Sequence, residues 1–70
     1  MESSVQIIVN GEPATVSAMS VLHYLESLSL DPQRVAVELN LDILPKVAYG
    51  TSVLRDGDRL EIVHFVGGGR

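Results

Sequence analysis

The chain has no cysteine, and only three of its residues are aromatic: two tyrosines and one phenylalanine. Without cysteine there are no disulfides, no thiolate nucleophiles and no cysteine-bound zinc or iron–sulfur sites. Small secreted domains usually rely on such staples, so their absence points to a reducing, cytoplasmic setting. Positive charge is also scarce, with five Lys plus Arg against nine Asp plus Glu and a formal net charge of −4. Nucleic-acid binding draws most of its affinity from clustered Lys and Arg neutralising phosphates, so no nucleic-acid partner is expected. A small acidic domain more often meets a basic patch on a protein. No apolar run approaches the roughly 18 residues that cross a bilayer. The opening Met-Glu-Ser-Ser lacks the positive start and apolar stretch of a signal peptide. The expectation is a soluble chain without membrane association.

What is present suits one small domain. Seventy residues leave no second lobe for an interdomain cleft. A hydrophobic share of 46% supports one core, and that share with modest net charge argues against disorder.

Val5, Ile7 and Val9 alternate with Gln6 and Ile8, as on a half-buried strand. Asn10-Gly11 follows, a strong hairpin signal because both residues tolerate positive φ. Ala14 to Ser17 forms the return strand, with Pro13 at its start or in the turn. Ser20 is placed to cap a helix whose Val21, Leu22, Leu25 and Leu28 form one apolar stripe. Asp31-Pro32 is the expected end of that element. Val35 to Leu39 reads as a strand, Ile43-Leu44-Pro45 as a short edge segment, and Lys46 to Ser52 as irregular with one helical turn. Asp56-Gly57-Asp58 is a turn, with Asp56 capping locally, that launches a last strand over Leu60 to Val66. Hairpin, helix, strand, short edge and strand make the layout of a ubiquitin-like β-grasp, an α+β fold. It implies a mixed sheet of four or five strands with one helix on one face. The expected division is a folded body over 1–66 and a flexible glycine-rich tail over 67–70.

Side-chain chemistry is sparse. There is no Gly-x-Ser-x-Gly elbow, and no catalytic residue is assigned. His23 is expected to face solvent and His64 to sit half-buried at a strand rim, an arrangement that gives no metal site. Asp56-Gly57-Asp58 fails as a calcium loop, because the twelfth position is Gly67 rather than Glu. Gly67-Gly68-Gly69 is followed by no helix that could cradle a phosphate.

The tail is the remaining candidate. Glycine has more conformational freedom to lose than any other residue, so this end is expected to be mobile. A side-chain-free tail can enter a narrow active site on another protein. There a terminal carboxylate can be activated as an acyl-adenylate, and sulfur or an amine can then displace AMP.

The sequence resembles the ThiS family of sulfur carriers in thiamine biosynthesis. The resemblance rests on Val35-Ala36-Val37-Glu38-Leu39-Asn40, Ile43-Leu44-Pro45-Lys46, Asp56 to Val63, and Val66-Gly67-Gly68-Gly69. It implies that an adenylating enzyme spends ATP on the carboxylate of Gly69, with Gly68 completing the diglycine. It further implies that cysteine-derived sulfur from a desulfurase persulfide makes a thiocarboxylate, and that thiazole synthase takes up this sulfur. The carrier would be a protein cosubstrate, would bind no cofactor itself and would be a monomer when free. Family members usually finish at the diglycine, whereas Arg70 follows it here, so removal of Arg70 before activation is expected. On the sheet face away from the helix, Glu61, Val63 and Phe65, joined by Ile8, are the expected partner-docking surface. Two alternatives are a small subunit of molybdopterin synthase, another β-grasp sulfur carrier, and a β-grasp interaction module whose tail is never activated.

Overall fold

A computed structural model of the chain describes residues 3–65. The expected functions of Gly67, Gly68, Gly69 and Arg70 therefore lie outside the described residues.

The alternating N-terminal segment forms strand β1 (Ser4–Val9), which pairs antiparallel with β2 (Glu12–Ser17). Asn10 and Gly11 join them with φ of 50° and 83°, the doubly left-handed turn that matches strand twist. Pro13 is tolerated inside β2 because β2 is an edge strand. Helix α1 (Val21–Ser27) starts at Ser20, whose Oγ accepts the His23 N–H at 3.0 Å. It is shorter than the sequence implies and ends before Asp31-Pro32. Ser29 adopts φ 62°, and the Ser29 and Leu30 N–H groups donate back to the Glu26 and Leu25 carbonyls. That pattern is a Schellman cap, which closes the helix without glycine or proline. Leu28 is thereby turned out to solvent rather than onto the apolar stripe.

After a short 3₁₀ turn at Pro32–Arg34 come β3 (Val35–Leu39) and β4 (Asp42–Leu44), joined by the two-residue turn Asn40-Leu41. A second 3₁₀ turn, Lys46–Ala48, leads into the segment before β5 (Arg59–His64). The five strands lie in the order β2-β1-β5-β3-β4. β1 and β5 run parallel at the centre, and β3 pairs antiparallel with β5. This is the expected mixed β-grasp sheet.

The core lies between the sheet and α1. Ile7, Val35, Val37 and Leu60 from the strands meet Val21, Tyr24 and Leu25 from the helix. Tyr49 and Leu54, 3% and 1% exposed, complete it from a segment with no readable periodicity. Alternation places Gln6, Ile8, Thr15, Ala36, Glu38, Ile43, Arg59, Glu61 and Val63 on the opposite face, which no helix covers.

Candidate functional site

Strand β5 is the last strand before the glycine run in the sequence. Only Arg59 and Leu60 are in strand register with β1, opposite Ile8 and Val9. Beyond Val9 the ladder continues through a side chain. The Asn10 Oδ1 accepts the Ile62 N–H at 2.7 Å, and its Nδ2 donates to the Ile62 carbonyl at 3.2 Å. One amide thus imitates a strand residue and holds β5 two residues further along. On the other flank the Asn40 Oδ1 accepts the Arg59 N–H at 2.9 Å, and its Nδ2 donates to Asp58 at 3.0 Å. Both asparagines occupy left-handed turn positions, where this residue type is tolerated.

The Asp56-Gly57-Asp58 turn braces the start of β5. Gly57 takes φ 86° as the sequence implies, and the Asp58 carboxylate accepts the Arg55 N–H locally at 2.8 Å. Asp56 does not cap locally. Its Oδ1 accepts the Gln6 N–H at 2.8 Å, while the Gly57 N–H donates to the Gln6 carbonyl, so the turn substitutes for strand beside β1.

At the far end of β5, the Phe65 N–H donates to the Arg34 carbonyl at 2.9 Å, one step past the paired strand. Lys46 also reaches this point. Its Nζ donates to the Val35 carbonyl at 2.8 Å and lies 5.8 Å from the Tyr49 ring and 6.0 Å from the Phe65 ring. A cation over two aromatic faces is held by their quadrupoles as well as by the carbonyl. Tyr49 donates its hydroxyl to the same carbonyl at 3.2 Å, and burial pushes its phenol above the usual 10, a rise the Val37 backbone partly counters. The sequence reading gave Lys46 no place in the site. Its signal was its place in Ile43-Leu44-Pro45-Lys46, directly after the proline that ends the edge segment.

Val63 and Phe65 are 58% and 55% exposed, whereas Glu61 and Ile8 are half-buried. Glu61 and Val63 lie in a row along β5 that leads to Phe65. Ile8 stands beside Arg59, nearer the other end of the strand. A depression of about 560 Å³, lined by Gln6, Ile8, Pro13, Thr15 and Asp56 among others, extends that end of the open face onto the hairpin. His64 is exposed rather than half-buried, because the sheet's rim leaves it uncovered opposite Val35. His23 faces solvent. Among the described residues no polar or charged side chain is buried, and no cluster of three or more His, Asp or Glu could hold a metal. No helix among them is long and apolar enough to cross a membrane.

A five-stranded mixed sheet, one helix and a central last strand leading to a glycine run define a ubiquitin-like β-grasp domain. Within that class, the chain belongs to the ThiS family, whose model matches residues 7–69. A thiamine biosynthesis protein (ThiS) from Geobacter metallireducens has the same fold, with a TM-score of 0.79 at 35% identity, over 93% of this chain and 100% of that one. The sulfur carrier protein ThiS of Bacillus subtilis is 49% identical over 45 residues, 64% of this chain and 68% of that protein. A thiazole synthase from Paramagnetospirillum magneticum is 48% identical over 65 residues, 91% of this chain but 20% of the synthase. The chain thus spans only a fifth of that relative's length, and the same holds for the thiazole synthase of Magnetococcus marinus.

Proposed function

We propose that this chain is a sulfur carrier of thiamine biosynthesis whose cargo site is the C-terminal carboxylate of Gly69. The observation that carries the reading is the ThiS family match, which continues through Gly69 instead of stopping with the folded body. In the proposed cycle, Arg70 is first removed. A partner enzyme then joins the Gly69 carboxylate to the α-phosphate of ATP, releasing pyrophosphate. The outer sulfur of a cysteine-derived persulfide displaces AMP to give an acyl disulfide, and a second thiol then reduces it to the thiocarboxylate, itself ending in a disulfide. The body supplies recognition and a fixed exit for β5, and the reacting groups belong to the partners. The chain is therefore a consumed and regenerated cosubstrate, not an enzyme.

The thiazole synthase relatives support the identity of the acceptor. Each has a segment 41–48% identical to this chain occupying a fifth of its length. Covalent attachment raises the effective concentration of a carrier beside the enzyme that uses it. A freestanding carrier would make the same encounter by diffusion.

Intact-mass measurement tests the reading. The chain is incubated with the adenylating enzyme, ATP, cysteine and a desulfurase. The chain supplied ending at Gly69 is expected to carry sulfur in place of one carboxylate oxygen, and the chain that keeps Arg70 to gain none until a carboxypeptidase has removed it. A chain that gains no sulfur when supplied ending at Gly69 refutes the reading. A sulfur-bearing product that retains Arg70 refutes the trimming step.

A further inference from the structure

Three features at the end of the sheet remote from Phe65 find no use within the fold, and two of them, the Leu41 backbone and the Glu38–Glu61 pairing, cost it stability. Leu41 occupies the second position of the Asn40-Leu41 turn with φ 74°, a conformation that favours glycine. It is 75% exposed and belongs neither to the core nor to the residues packed on it. Ile43 is 81% exposed on the open face of the edge strand β4. Glu38, its cross-strand neighbour in β4–β3 register, also stands directly opposite Glu61 of β5. Like charges facing each other across a ladder are destabilising. The ion pair among the described residues joins Arg34 to Asp31 and leaves both glutamates free.

These features lie together in register. They form an apolar tip and shoulder bordered by two unneutralised carboxylates, on a chain of net charge −4. We propose that Leu41, Ile43 and Glu38 extend the docking surface for the adenylating partner from the Glu61–Val63–Phe65 row across the ladder to the Asn40-Leu41 turn. That partner would present an apolar recess edged by Lys or Arg. The inference rests on the carrier reading and deepens it. From Leu39, opposite Leu60, to Val35, opposite His64, the β3–β5 ladder has four steps, or about 14 Å at the usual rise. The Leu41 end of this surface therefore lies well away from the point where β5 ends. A grip there supplies the specificity that a run of glycines, having no side chains, lacks.

The test measures affinity for the purified adenylating enzyme at low and high salt, alongside urea unfolding. Leu41→Gly is expected to unfold at higher urea than wild type while binding about tenfold more weakly, as loss of an apolar anchor does. Ile43→Ser is expected to weaken binding similarly with an unchanged unfolding midpoint. The double variant Glu38→Gln/Glu61→Gln is expected to flatten the salt dependence. Wild-type affinity in both Leu41→Gly and Ile43→Ser overturns the inference, even when the chain ending at Gly69 is sulfurated normally. Loss in these variants of a wild-type homodimer, seen by light scattering, overturns it in favour of self-association. A chain ending at Gly69 that neither binds the enzyme nor acquires sulfur overturns the carrier reading and the inference with it.

Discussion

Replacing Asn10 by alanine tests whether one side chain sets the position of the strand that leads to the glycine run. The substitution removes both hydrogen bonds to the Ile62 backbone, at 2.7 and 3.2 Å. Each is worth about 1 kcal/mol net, since water can reach the freed groups at this exposed site. Alanine must also take up φ 50°, at a further cost of about 1 kcal/mol. The expected loss is about 3 kcal/mol. A chain of this size has a total stability of roughly 4–10 kcal/mol. Thermal unfolding should fall by roughly 12–24 °C. Asn10→Gly separates the two causes: it tolerates the turn but forfeits the bonds, so about 2 kcal/mol should be lost. Asn10→Asp keeps the acceptor for the Ile62 N–H but sets a carboxylate against the Ile62 carbonyl, and should fall below Asn10→Gly. Urea titration followed by circular dichroism reads all three. Asn10→Ala within about 0.5 kcal/mol of wild type would refute the argument that the amide continues the ladder. Equal stability of the Ala and Gly variants would refute the backbone part alone.

Phe65→Ala should leave the urea midpoint nearly unchanged, because the ring is more than half exposed, and should weaken binding to the adenylating enzyme about tenfold. Unchanged affinity in a titration would remove Phe65 from the docking face. Leu54→Ala deletes a side chain that is 1% exposed and should cost about 3 kcal/mol by the same unfolding assay, a loss that brings the domain near its limit. The fold favours the neutral form of Tyr49, since burial raises its folded pKa above the unfolded value of 10.0. Stability from this group is therefore level below about pH 10 and declines as pH rises through the raised value. Tyr49→Phe should cost about 1 kcal/mol at neutral pH for the bond to Val35 and should show a shallower decline in alkali. Parallel pH profiles for the two proteins would contradict the assignment.

The elements that announce themselves by local chemistry were legible in the chain. Asn10-Gly11, the Ser20 cap and the Asp56-Gly57-Asp58 turn each need only a few neighbouring residues to be recognised, and they fixed the order of elements. The helix end was not legible, because Ser29 takes the cap position usually held by glycine and the later proline drew the boundary too far. Tyr49 and Leu54 follow no period, since the segment from Lys46 onward enters the core through single side chains rather than along a face. The turn at Asn40-Leu41 forms although leucine argues against it, for Asn40 is held from outside the hairpin by Arg59 and Asp58. Of the open face, Glu61, Val63 and Ile8 could be placed by counting alternate residues. Lys46 required the tertiary fold, because it reaches the end of β5 across the start of β3.

The parallel pairing of β1 with β5 governs how the protein is made. The sheet's centre joins residues about fifty positions apart, as in Asn10 with Ile62 and Gln6 with Asp56. Contacts of such long sequence separation form late and are the slow part of folding. A chain without β5 has no middle to its sheet, and its hairpin and seven-residue helix are marginal on their own. Without β5, β1 and β3 lose the strand that joins them, so the two halves of the sheet have nothing to pair with at the centre.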